Sequence, residues 1–138
     1  MQFVLKGDEF FMIKDEKGQS MVEMALLLPI LLLLLVGIFD FGRVLYHYMH
    51  LHLATQETVR LGGLGKKDTE ITNFAKKYVQ LGDSTQLKVV ISPTESHRKS
   101  GQYVTVTLEY PLQIVTPFIS SLLPSPIAIK TASTIRVE

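Results

Sequence analysis

The residue types that carry catalysis and ligand binding gather at a few points in this chain, and their spacing decides what each can do. Glu95, Ser96 and His97 are the acid, nucleophile and base of acyl transfer, but sequence neighbours rarely share a triad's geometry and no orienting motif surrounds them. His47, His50 and His52 are candidate ligands for zinc or another transition metal. On a helix turning about 100° per residue, His47 and His50 share a side whereas His52 projects away from it. With Tyr46 and Tyr48 these rings better suit a membrane–water interface, where an apolar body and a polar tip are both satisfied. Gly65-Lys66-Lys67 ends like a phosphate-binding loop, but that motif needs glycine where Arg60 stands, serine or threonine where Lys67 stands, and a strand before it. No catalytic residue, metal site or cofactor is expected from these points. Glu23 differs from them, because it is a carboxylate just inside a long apolar segment, where an ionised side chain is costly and must snorkel outward or find a partner.

The element that positions Glu23 is the run from Met24 to Phe39, almost unbroken in its apolar character. As a helix, Met21 to Phe39 is roughly 28 Å long, close to the roughly 30 Å hydrocarbon core of a bilayer. The run exceeds the h-region of a secretory signal peptide, and no small-x-small cleavage site follows it, so the helix is expected to stay attached. Lys14 and Lys17 at one end against Arg43 at the other favour a cytoplasmic N-terminus. Pro29, lacking an N–H, predicts a bend or local unwinding near Ala25 to Leu28.

The order Gly18, four residues, Glu23, apolar helix is the pattern of the class III signal of type IV pilins and their relatives. From Gly18 to Gly65 the chain resembles the N-terminal half of TadE-like pseudopilins of the tight-adherence pilus system. The resemblance rests on Gly18, Glu23, Pro29, the Asp40-Phe41-Gly42-Arg43 exit and the Val59-Arg60 helix end. It implies cleavage by a prepilin peptidase between Gly18 and Gln19, and assembly through the helix, with Glu23 and Pro29 as assembly residues. Residues 1–18 are then a leader, untypical in carrying both acidic and basic residues, and a start at Met12 makes MIKDEKG the whole leader.

Residues 19–43 form the transmembrane segment and 44–65 its extracytoplasmic continuation, in which Val44, Leu45, Tyr48, Leu51, Leu53, Ala54, Thr58 and Leu61 recur at helical spacing. Gly62, Gly63 and Gly65 end a first helix about 40 residues long. Residues 66–138 form a small domain. It opens with a second helix capped by Asp68 or Thr69, striped by Ile71, Phe74, Ala75, Tyr78 and Val79, and ended by Gly82. The period then changes to two, in Leu87, Val89 and Ile91 and again in Val104, Val106, Leu108 and Tyr110, giving two strands joined by an exposed loop over Pro93 to Gln102. Tyr110-Pro111 ends the second of these strands. Thr116-Pro117 opens a short helical turn through Leu123, whose Phe118, Ile119, Leu122 and Leu123 either cover the sheet, the favoured reading, or form a partner-binding patch, and Ile127, Ile129, Ile135 and Val137 outline a last strand. The predicted fold class is α+β: a long N-terminal transmembrane helix, one further helix and a three- or four-stranded antiparallel sheet.

Composition narrows the function further. The chain of 138 residues has a formal net charge of +1 and no cysteine, so it carries neither the clustered basic face of a nucleic-acid binder nor a thiolate metal site. The expected partners are the membrane, a prepilin peptidase, other pilins or pseudopilins and the pilus assembly platform; nucleic acid and small-molecule substrates are not expected. The alternative reading is a permanently anchored extracytoplasmic scaffold or receptor domain that is never processed. In either case the protein sits in the cytoplasmic membrane as a single-pass chain, its C-terminal domain outside.

Overall fold

The computed structural model describes residues 16–117, 121 and 123–138. The leader before Glu16, with its Met12 start, lies outside the described residues, as do Phe118, Ile119 and Leu122 of the expected helical turn. Helix α1 spans Glu16–Gly63, α2 spans Asp68–Tyr78, and three strands follow, β1 (Lys88–Ser92), β2 (Tyr103–Leu112) and β3 (Ile127–Arg136). The chain divides between Leu34 and Leu35 into two compact units.

In the first unit the large apolar side chains of α1 from Met21 to Leu34 are all exposed. Among the described residues the helix over Gly18–Gly63 is the one long and apolar enough to cross a membrane. It stays helical through Pro29, so of the bend or unwinding expected near Ala25 to Leu28 the unwinding does not occur. A proline removes one intrahelical hydrogen bond there, and the flanking leucines are strong enough helix formers to carry the turn.

The second unit is built on an antiparallel sheet of order β1-β2-β3, in which Val89 faces Leu108, and Leu108 in turn faces Thr131. Strand β2 alternates buried and less buried positions along its length, as its period of two requires. Its inward residues Val104, Val106 and Leu108 pack with Leu51, Ala54 and Val59 of α1 and with Ile71 and Ala75 of α2. Contrary to expectation, β2 does not end at Tyr110-Pro111 but continues to Leu112, with Pro111 opposite Ala128. Strand β1 stops opposite Glu109, so β2 has one neighbour at Pro111 and a residue without an N–H is tolerated.

The end of α1 shows why glycines cluster there. Gly65 has φ of +71°, its N–H donates to Gly62 O at 3.1 Å, and the Lys66 N–H reaches Leu61 O at 3.0 Å. This is a left-handed helix stop in which two terminal carbonyls are satisfied. Gly62 and Gly63 serve a different purpose: a Cβ on Gly63 meets Ile135 Cγ2 at 3.0 Å and one on Gly62 meets Val104 Cγ1 at 3.2 Å, so only glycine lets the helix end lie this close to β2 and β3.

Helix α2 is capped differently from the expectation. Its N-cap is Lys67, with no side-chain cap of its own, and it ends at Tyr78 rather than running to Gly82. The Asp68 N–H donates instead to Glu95 Oε2 at 2.9 Å, and Glu95 N–H donates back to Asp68 Oδ2 at 3.0 Å. The loop after β1 thus caps a helix formed 27 residues earlier.

Candidate functional site

The stretch expected to carry processing and assembly lies at the start of α1. Gly18 is half-buried, while Gln19, Glu23 and Pro29 are exposed. Four residues apart on one helix face, Gln19 and Glu23 are neighbours, and Gln19 Nε2 donates to Glu23 Oε1 at 3.2 Å. The residue at the expected cleavage junction is therefore already within reach of the carboxylate. Pro29 lies on the helix about one and two-thirds turns beyond Glu23.

Further along, α1 shows two faces. Leu51, Ala54, Thr55, Thr58 and Val59 are buried, and the hydroxyls among them are satisfied: Thr55 donates to Leu51 O at 2.7 Å and meets Thr131 Oγ1 at 2.6 Å, and Thr58 donates to Ala54 O at 2.6 Å. Leu45, Tyr48 and Leu53, placed by periodicity on the same stripe, instead lie exposed with Met49. The packed stripe follows Asp40, Val44, His47, Leu51 and Thr55, and those residues fall outside its arc.

Asp40 is the residue whose importance sequence reasoning missed. A pair with Arg43 at the membrane exit reads as a solvated contact of little value, and the Arg43 Nη1–Asp40 Oδ1 distance is indeed a long 3.4 Å. Yet Asp40 is only 8% exposed. Its carboxylate accepts from Val115 N–H at 3.1 Å, from Thr116 N–H at 2.6 Å and from the Thr116 hydroxyl. No local signal marked it, because its donors lie 76 residues away in the chain and only the position of the covering residues shows that this face is packed.

The other chemistry-bearing residues are engaged separately. His47 Nδ1 contacts Arg43 O at 2.7 Å and its ring stacks on Tyr110, His50 stacks between Tyr46 and Tyr78, and His52 stacks on Tyr48. No cluster of His, Cys, Asp or Glu suited to a metal occurs among the described residues. Ser96 Oγ lies 3.0 Å from His97 Nδ1, but Glu95 faces the start of α2 rather than the imidazole. Arg98, from the same loop, is 4% exposed at its side chain and reaches Asp68, Lys66 O at 2.8 Å and Pro93 O at 3.3 Å. These residues latch the loop to α2 instead of forming a reaction centre.

Among the described residues, then, a helix long and apolar enough to span a bilayer is followed in the chain by a second helix and a small antiparallel sheet. Residues 18–60 match the family of TadE-like proteins, so over that stretch the chain is similar to this family. The match covers the helix and leaves α2 and the sheet outside it. No curated protein and no solved structure matches the chain.

Proposed function

We propose that this protein is a minor pilin or pseudopilin, cut by a prepilin peptidase between Gly18 and Gln19 and assembled through α1 into a tight-adherence pilus. The observation that carries the reading is the family match over residues 18–60, which contains the glycine, the glutamate and the apolar run together. A residue without a side chain suits a narrow peptidase subsite, and cutting after Gly18 creates an α-amino group at Gln19, four residues from Glu23. That amine, or the one of an adjacent subunit, neutralises a carboxylate otherwise costly among apolar helices. Docking beside a processed neighbour then selects one register, and head-to-tail repetition builds an open filament.

Exposed Leu45, Met49 and Leu53 support the same reading, because they extend an unpartnered apolar face along α1 beyond the membrane run. The N-terminal lysines support an orientation with the leader in the cytoplasm and the α+β domain outside, where it would meet the assembly platform and other pilins. The test is the N-terminus of the protein recovered from membranes. A chain beginning at Gln19 is expected, with full-length precursor accumulating when Gly18 is replaced by leucine. An uncut chain in cells that carry the peptidase overturns the processing reading and favours a permanently anchored scaffold.

A further inference from the structure

Beyond assembly, the connection between β2 and β3 has properties that fit a lipid surface. From Tyr110 to Ile129 the sequence contains no charged residue, and Pro111, Pro117, Pro124 and Pro126 reduce its backbone donors. Val115 is 67% exposed and Leu123 is 47% exposed, although both are large and apolar. Val115 also borders an open apolar groove of about 270 Å³ with Leu35, Val36, Phe39, Asp40 and Arg43.

Leu35, Val36 and Phe39 of this groove belong to the last turns of the apolar run, and Asp40 and Arg43 follow directly after it, so the groove straddles the end of that run. Irregular backbone at that depth is tolerated only when its polar groups are paired. Asp40 meets that requirement, taking both the Val115 and the Thr116 N–H groups, while the next residue, Pro117, has no N–H to satisfy. A buried carboxylate with three donors from Val115 and Thr116 also fixes those two residues, since moving them strands a charge.

We infer that two described residues of the β2–β3 connection, Val115 and Leu123, form a second membrane contact in the outer boundary of the bilayer, both against acyl chains, with Val115 held there by Asp40 and Arg43 at headgroup level. Single-pass anchoring alone lets a domain swivel about its helix, and this contact makes the domain's attachment to the membrane two-point. Such use of an apolar loop flanking an amphipathic surface follows the physics of interfacial anchors.

The absence of cysteine makes a direct test possible. Val115→Cys and Leu123→Cys variants of the full chain, labelled with a nitroxide in phosphatidylcholine vesicles, are compared with Phe39→Cys and Ser100→Cys. Collisions with lipid-soluble oxygen should exceed those with a water-soluble nickel chelate several-fold at Val115, Leu123 and Phe39, with the reverse at Ser100. In the Asp40→Asn or Thr116→Val background the labels at Val115 and Leu123 should shift toward water while that at Phe39 stays in lipid. Nickel-favouring labels at both loop sites overturn the proposal. So does oxygen preference that appears only at high protein-to-lipid ratio, which marks a neighbouring protein as the occupant, and so does indifference to both Asp40→Asn and Thr116→Val. The vesicles hold no peptidase or pilus, so this result is independent of the assembly reading.

Discussion

Up to Leu34 helix α1 turns every large apolar side chain outward, whereas beyond Leu35 the same helix buries Asp40, Thr55 and Thr58 and leaves Leu45, Met49 and Leu53 outside. Along α1, then, hydrophobicity alone does not decide burial. In the first stretch the large apolar side chains are exposed, an arrangement that is favourable only in an apolar environment such as a bilayer. In the second, the sheet covers a stripe whose polar members survive because each hydroxyl or carboxylate finds a donor or acceptor. Changes before Leu34 should thus act on assembly and spare the domain, and changes after it should act on the domain's stability.

The largest effect that sharpens this contrast is expected at Glu23. Glu23→Ala removes a group that is costly in the membrane, so insertion and the domain's unfolding should be unchanged while incorporation into pili is lost. Immunoblotting of sheared pili against the membrane fraction reads both. Incorporation at the parental level overturns the pairing of Glu23 with a processed N-terminus.

Next comes a matched pair of leucines. Leu108→Ala, at a fully buried position of β2, should destabilise the domain by about 2–5 kcal/mol through lost contacts and a residual cavity. Leu31→Ala, exposed on the membrane stretch, should leave the domain's denaturant midpoint in detergent where it was. Equal shifts break the contrast. A smaller change is expected at Gly63, where alanine places a Cβ 3.0 Å from Ile135 Cγ2 and 3.3 Å from Arg136 O. Overpacking of this kind costs about 1–3 kcal/mol, visible as a lowered midpoint. An unshifted midpoint means the helix end slides away from β3 without penalty.

What the sequence made legible follows the same division. The membrane run, the Gly18–Glu23 spacing and the alternation of β2 are local patterns, each contained in a short window. The features that escaped depend on residues far apart in the chain. Asp40 meets Thr116 across 76 residues, and Glu95 caps α2 across 27. Periodicity grouped Leu45, Tyr48 and Leu53 with Leu51 because a helix with apolar residues on both faces gives no single stripe, and only the sheet's position decides which face is covered. Pro111 misled for a related reason, since whether a strand tolerates proline depends on where its neighbour stops.

The smallest predicted effect concerns pH and lies wholly in the second region. Asp83 accepts from the Thr85 hydroxyl at 2.6 Å and from the Thr85 N–H at 2.9 Å, and these bonds, the hydroxyl first, hold its carboxyl below the ordinary carboxylate value. A carboxyl whose folded pKa is depressed binds its proton more weakly in the folded than in the unfolded chain. Its contribution to stability is therefore complete above the unfolded value of about 3.9 and disappears as pH falls through the lower folded value. Asp83 is exposed, so solvent screens the effect and it should be slight. Asp83→Asn cannot ionise and lacks this dependence. The difference in midpoint between parent and variant should be constant from neutral pH down to the unfolded value and then shrink in stronger acid. A difference that persists unchanged into strong acid shows that the turn is held by its hydrogen-bond geometry alone, with the carboxylate's charge contributing nothing.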